Sequence, residues 1–224
     1  WDHLLEGDWV ERFVVQFKMR EMMIMLVRTR LLWLSVVLGL MVTTHLSVEA
    51  AHQNDTTILV AYYSRTGRTE QVAEAVAEGA RGVEGIRVLL KALTDVTADD
   101  LSEATGIVLG SPTYSSNMAG PMKSFIDDWS FRYRVDLTDK VGAAFSTGGG
   151  HTAGKEHVVV SLLLAMIGER MLVLGPIRES GLGALGVSGV APPPGEQIAP
   201  NILGEGRLLG ARIAQVAQRV RLQP

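Results

Sequence analysis

The residues best placed to do chemistry follow the first apolar run in the middle of the chain. Residues 64–69 read Ser-Arg-Thr-Gly-Arg-Thr, so three hydroxyl side chains and two arginines surround one glycine. Between a strand and a helix N-terminus, such hydroxyls act with backbone N–H groups and the helix dipole to surround a phosphate. An ordinary turn with a capping hydroxyl is the alternative, but three hydroxyls exceed what capping needs. The spacing therefore predicts a phosphate site made of Ser64, Arg65, Thr66, Gly67, Arg68 and Thr69.

Two further loops follow apolar runs and carry polar or aromatic residues. The second loop, 111–118, contains Tyr114, which either stacks on a flat ligand or covers the end of the sheet. We favour stacking, because an aromatic side chain at the end of a central strand offers apolar area to a planar group. The third loop, 146–151, carries three glycines before His151, which either approaches the ligand or is solvated. Tyr114 and His151 are the candidates for a catalytic role.

Residues 149–155 imitate a nucleoside triphosphate loop. They fit the pattern G-x-x-x-x-G-K and lie between a predicted strand and a predicted helix. That motif requires Ser or Thr next, to hold Mg²⁺, whereas Glu156 follows here and its charge would oppose a triphosphate. The chain also has no cysteine, which excludes disulfides, thiolate catalysis and zinc–thiolate sites. We therefore predict neither a triphosphatase nor a metal site.

An alternation of strands and helices must position these loops. Short apolar runs predict strands at 58–63, 86–90, 106–110, 140–145 and 171–175, with amphipathic helices between them and a final helix near the C-terminus. This alternation predicts a three-layer α/β sandwich around a five-stranded parallel sheet of order 2-1-3-4-5. Ligands in such sheets bind at the carboxyl ends of the strands, beside the switch point between strands one and three. Residues 176–201, rich in glycine and proline, are predicted to form a long loop.

The same loops resemble those of known flavoproteins. Residues 58–80, ILVAYYSRTGRTEQVAEAVAEGA, are similar to the opening of a flavodoxin, in which S/T-x-T-G-x-T holds the phosphate of flavin mononucleotide (FMN). The segments GSPTYSSNMAGPMKSFID and FSTGGGHTAGKE resemble flavin loops of WrbA-type NAD(P)H:quinone oxidoreductases. The resemblance implies a flavodoxin-like fold over residues 56–224 and an FMN site that adds further residues to the phosphate loop. These are Pro112, Thr113, Tyr114, Ser115, Ser116, Asn117, Met118, Ser146, Thr147, Gly148, Gly149, Gly150 and His151.

The resemblance also implies a redox function. An FMN-dependent oxidoreductase that passes electrons from NAD(P)H to a quinone-like acceptor is the expected activity, because the flavin carries the chemistry and the protein supplies position. A flavodoxin-type electron carrier without its own NAD(P)H activity is the alternative. Such carriers are usually strongly acidic, whereas this chain has a formal net charge of −3. The interleaved charges also argue against nucleic-acid binding, and the sequence leaves a homo-oligomer open.

The N-terminal part of the chain has a different character. Residues 31–48 are apolar apart from serine, threonine and one histidine, and basic residues precede them. This pattern is typical of a secretory leader or a membrane anchor, so residues 1–50 are predicted to export the domain or to attach it to a membrane. A start site set too early is the alternative, in which case the domain is cytoplasmic.

Overall fold

The computed structural model describes residues 14–16, 18–20, 22, 23, 25, 56–178, 180–193 and 196–221. The chain divides into two units, Trp1–Asn54 and Asp55–Pro224. In the first unit the described residues are helical and exposed. The predicted leader, 31–48, lies outside the described residues. Within the described part of the chain, no helix has the length and apolarity needed to cross a membrane.

The second unit is built on one twisted sheet. Its strands are β1 (Thr56–Tyr62), β2 (Ile86–Ala92), β3 (Gly106–Tyr114), β4 (Asn117–Met118), β5 (Val141–Gly148), β6 (Leu172–Val173) and β7 (Val187–Val190). The main path runs β2-β1-β3-β5-β6, and all of its pairings are parallel. These strands correspond to the five predicted from the sequence, so the predicted order and sandwich are confirmed.

Helices cover both faces of the sheet. They are α1 (Arg68–Arg81), α2 (Ala98–Glu103), α3 (Gly120–Asp128), α4 (Lys155–Gly168) and α5 (Pro200–Arg221), with a 3₁₀ turn at Leu93–Asp95 and a π-helical turn at Trp129–Tyr133. The apolar sides of α1 and α5 pack on one face, whereas α2, α3 and α4 pack on the other. Because helices bury both faces, β1 reads as a continuous apolar run.

Two strands were not predicted. β4 folds back on β3 as an antiparallel hairpin, and β7 pairs with the carboxyl half of β5 inside the region predicted to be a loop. The prediction of a loop over 176–201 is therefore wrong for Val187–Val190. The pairing of β7 with β5 is possible because β6 is only two residues long and pairs only with the beginning of β5. The free edge of β5 is then available to β7.

Two glycines let α1 and α5 pack backbone to backbone. A Cβ atom on Gly79 would overlap the carbonyl of Arg207, and one on Gly210 would overlap the carbonyl of Val76. The pair is reciprocal, since each helix contributes one glycine and one carbonyl. This contact holds α5 against α1, the helix that begins directly after the first loop.

We expect Gly210→Ala to lower the free energy of unfolding by about 1–3 kcal/mol, because the new methyl group forces the two helices apart. Gly204→Ala is the matched control, since it lies on the same helix with no atom within 4 Å of the new Cβ. The control should be neutral or gain up to about 1 kcal/mol from helix propensity. Urea unfolding measures both, and equal stability of the two variants would contradict this packing.

Candidate functional site

The first loop ends in a helix start with free donors. Gly67 precedes α1 and adopts a left-handed conformation, with φ of 79°. An added Cβ at Gly67 would meet no atom within 4 Å, so the space above the loop is open. Among the described residues, no acceptor faces the N–H groups of Arg68, Thr69 or Glu70, as is usual for the first turn of a helix. The hydroxyl of Ser64, in the same loop, is buried without a hydrogen-bond partner.

The carboxylate in the first turn of α1 has a hydrogen-bond partner at the end of β1. Glu70 accepts a 2.7 Å hydrogen bond from the hydroxyl of Tyr62, the last residue of β1. Burial, together with the bond to Glu70, raises the pKa of Tyr62 to about 12. The phenol therefore stays protonated and keeps donating to Glu70 across the physiological range.

Hydroxyl pairs tie the three loops to one another. The side chains of Thr69 and Thr147 lie 2.9 Å apart, which joins the first loop to the third. Thr113 and Ser146 make the same contact at 2.9 Å, which joins the second loop to the third. Ser111 donates to the carbonyl of Pro112 and accepts the N–H of Ala119, so it fixes both ends of the second loop.

The second loop is a tight hairpin. β3 and β4 are joined by Ser115 and Ser116, whose φ angles are 49° and 60°. A two-residue turn with both φ angles positive suits the twist of paired strands, but it costs energy in residues other than glycine or asparagine. The hairpin is supported from the start of α4, because an added Cβ on Gly154, the residue before that helix, would approach Ser116 to 3.1 Å.

The three loops line one cleft at the carboxyl ends of β1, β3 and β5. Its volume is about 300 Å³. The residues that line it are Arg65, Thr66, Arg68, Thr69, Pro112, Thr113, Tyr114, Thr147, Gly148, Gly149 and Ala191. Two arginines and no carboxylate stand among these lining residues, so the cleft attracts anions.

Arg68 ties a fourth segment to the cleft. Its guanidinium donates to the carbonyl of Thr66 at 2.8 Å and to the carbonyl of Pro193 at 2.6 Å. Ala191, next to β7, lines the cleft and donates its N–H to the carbonyl of Gly148. This segment was not predicted from the sequence, although the valines of β7 followed by a run of prolines are typical of a strand that ends at a turn.

Several predicted site residues lie outside this cleft. Asn117 and Met118 line a separate groove of about 710 Å³ between α3 and α4. His151 lines another pocket, of about 370 Å³, with Ser188 and Asn201. Others support the loops without lining the cleft, namely Ser64, Gly67, Ser115, Ser116, Ser146 and Gly150. The structure therefore brings Tyr114, but not His151, to the same cleft as the phosphate loop.

The triphosphate-like motif has a structural role. The side chain of Lys155 is buried, with 2% exposed, and its Nζ donates to the carbonyls of Gly150 and His151. Glu156 accepts hydrogen bonds from its own backbone N–H and from the hydroxyl of Ser188 on β7. These two bonds lower the pKa of Glu156, although burial opposes the shift. Lys155 therefore stabilises the loop that precedes it, and its ammonium group is already engaged by two backbone carbonyls.

A parallel sheet of this order, with three loops meeting beside the switch point, defines a flavodoxin-like α/β protein. Residues 56–178, more than half of the chain, match the model of the family described as NADPH-dependent FMN reductase. The chain belongs to this family of FMN-binding, flavodoxin-like oxidoreductases.

Individual relatives fall into two groups. A flavodoxin of Aquifex aeolicus is 39% identical over 118 residues, which cover 53% of this chain and 64% of that protein. An NAD(P)H dehydrogenase (quinone) of Geotalea uraniireducens is 28% identical over 199 residues, which cover 73% of this chain and 98% of that protein.

Solved structures show the same division. An archaeal flavodoxin superposes with a TM-score of 0.59 at 25% identity, covering 73% of this chain and 99% of its own. A flavodoxin WrbA-like protein from Agrobacterium tumefaciens superposes with a TM-score of 0.59 at 26% identity, covering 74% of this chain and 99% of its own.

We expect Gly154→Ala to lower the free energy of unfolding by about 1–2 kcal/mol. Its φ of 85° is strained for alanine, and the methyl group would press on Ser116. Gly150→Ala is the control, since nothing lies within 4 Å of its new Cβ and its φ is not positive. The control should stay within about 0.5 kcal/mol of the parent. Chemical denaturation of both variants checks the difference, and a stable Gly154→Ala variant would refute the supporting contact.

Proposed function

We propose that this chain binds FMN in the cleft and passes electrons from NAD(P)H to a quinone-like acceptor. The observation that carries the proposal is the cleft itself. It combines a helix start with free N–H groups, threonine hydroxyls from all three loops, two arginines and no lining carboxylate. This set of donors fits a phosphate ester joined to a larger planar group.

The phosphate end of the cleft is formed by the first loop. Thr66 and Thr69 supply hydroxyls, and the backbone N–H groups at the start of α1 add donors along the helix dipole. Gly67 keeps the loop open, because it has no side chain and adopts a conformation that other residues strain to reach.

The other end of the cleft offers an aromatic surface and open space. Tyr114 is 39% exposed and lies beside Pro112 and Thr113. When bound, FMN would supply the redox chemistry by taking up a hydride and giving up electrons. The residues of the chain would position it, with Tyr114 against the ring. Gly149, where an added Cβ would meet no atom within 4 Å, would leave room for a second flat molecule. No side chain of the cleft is needed as a nucleophile.

A flavodoxin-type electron carrier is the second candidate. The first loop has the flavodoxin form S-x-T-G-x-T, and a flavodoxin is the relative with 39% identity. We favour the reductase because the dehydrogenase relative is matched along 98% of its length. The nearly balanced charge of the chain supports the same choice, since docking carriers are usually acidic.

The cellular location belongs to the same proposal. We propose that residues 31–48 act as a leader or anchor, because their apolar run follows basic residues. A protein that starts after this segment would be cytoplasmic. Fractionation of cells that produce the full chain, with N-terminal sequencing of the mature protein, distinguishes these outcomes.

We expect Thr66→Ala to weaken FMN binding about 10- to 100-fold, because a hydrogen bond to a charged group contributes about 1.5–3 kcal/mol. Thr94→Ala is the control, since Thr94 is an exposed threonine whose hydroxyl contacts only Asp95. Fluorescence titration of the flavin-free protein measures both affinities. If Thr66→Ala binds FMN as tightly as the parent, the phosphate lies elsewhere. Recovery of FAD, or of no flavin, from the folded protein would refute the FMN assignment.

We expect NADPH or NADH to bleach the bound flavin within seconds, and a benzoquinone to restore its colour. Anaerobic absorbance spectroscopy follows both steps. Tyr114→Ala should change kcat/KM for the quinone more than it changes FMN affinity, because Tyr114 lies at the ring end of the cleft. Phe131→Ala is the control, since this aromatic side chain is exposed and outside the cleft. Reduction by dithionite but not by either nucleotide would favour the electron carrier.

A further inference from the structure

Arg65 and Arg68 lie in the same loop but have different surroundings. Arg68 is buried, and backbone carbonyls of Thr66 and Pro193 accept hydrogen bonds from its guanidinium. Arg65 is exposed and has no ion-pair partner within the described part of the chain. Its contact is with an aromatic ring. Among the described residues, no carboxylate therefore neutralises the charge of Arg65.

The guanidinium of Arg65 crosses from the first loop to the second. Its central carbon lies 5.9 Å from the centroid of the Tyr114 ring, within the range of a cation–π contact. Both residues line the cleft, beside Pro112 and Thr113. The positive charge of Arg65 is thus held at the aromatic end of the cleft.

The pKa of Tyr114 also depends on the nearby charge of Arg65. Burial raises the pKa of Tyr114, and the positive charge of Arg65 opposes that rise. Removal of the charge should therefore raise this pKa further. This gives a signal that can be read in the protein without any ligand.

We propose that Arg65 raises the reduction potential of the flavin bound in the cleft. Its guanidinium, in contact with the ring of Tyr114, keeps one positive charge at the end of the cleft where the flavin ring would lie. This inference rests on the proposed binding of FMN. A positive charge near the ring favours the reduced form, which carries more electrons, over the oxidised form. Arg65 then adjusts the reduction potential of the flavin, whereas the binding of its phosphate depends on the hydroxyls and on the N–H groups at the start of α1.

The test compares Arg65→Gln with the parent protein loaded with FMN. The glutamine keeps a planar polar end but removes the charge. We expect its affinity for reduced FMN, relative to oxidised FMN, to fall about tenfold, which lowers the two-electron midpoint potential by about 30 mV. Spectroelectrochemical titration measures this potential. Because Arg65 is exposed, the difference should shrink at high salt.

Two further variants separate this effect from general charge effects. Arg65→Lys keeps the charge and should restore most of the parent potential. Arg81→Gln removes a charge from the opposite end of α1, roughly 20 Å along the helix, and should leave the potential unchanged. A midpoint potential in Arg65→Gln equal to that of Arg81→Gln would overturn the proposal.

A comparison of FMN with riboflavin, which lacks the phosphate, shows whether Arg65 acts on the phosphate or on the ring. If Arg65→Gln weakens FMN binding but leaves riboflavin binding unchanged, Arg65 serves the phosphate and the proposal is wrong. Spectrophotometric titration of the flavin-free protein, with Tyr114→Phe to identify the signal, should show a higher Tyr114 pKa in Arg65→Gln. An unchanged Tyr114 pKa would overturn the pairing. If the parent binds no flavin, the proposed function fails, whereas this titration still decides whether the two residues are coupled.

Discussion

The hydrogen-bond register of β3 between two parallel neighbours determines where each loop of the cleft begins. β1 pairs with β3 as far as Gly110, whereas β5 continues to the pairing of Pro112 with Thr147. The end of β3 therefore stands above the first loop and beside the third. A shift of one residue would turn alternate side chains to the opposite face. The Thr113–Ser146 and Thr69–Thr147 contacts would then be lost together, and with them the geometry of the cleft.

Much of this arrangement could be predicted from the sequence, because the signals were local. Apolar runs rich in β-branched residues marked the central strands, and the spacing of Val72 and Val76 marked the buried side of α1. The first loop also carries a pattern that predicts phosphate binding, because three hydroxyls around Gly67 follow the first strand directly. The prediction that the phosphate and aromatic loops meet followed from topology alone, since parallel strands bring their carboxyl ends to one edge.

Other features could not be predicted, because they depend on distant partners. Ser115 and Ser116 form a turn that sequence rules assign to glycine or asparagine, and the backbone of Gly154 supports it from the start of α4. Strand β7 has only four residues, and its pairing requires an edge that β6 leaves free. The two arginines of the first loop look equivalent in sequence. Only the fold shows that Arg68 binds the carbonyl of Pro193.

Contacts between α1 and residues far along the chain determine when the cleft can form during synthesis. Arg68 bonds to Pro193, 125 positions later, and the side chain of Gln71 accepts the N–H of Ile198, 127 positions later. The last helix must also dock on α1. Because a chain emerges from the ribosome N-terminus first, the phosphate loop exists long before its partners do. A nascent chain can therefore complete these contacts around the cleft only after residues 193 to 198 have emerged from the ribosome.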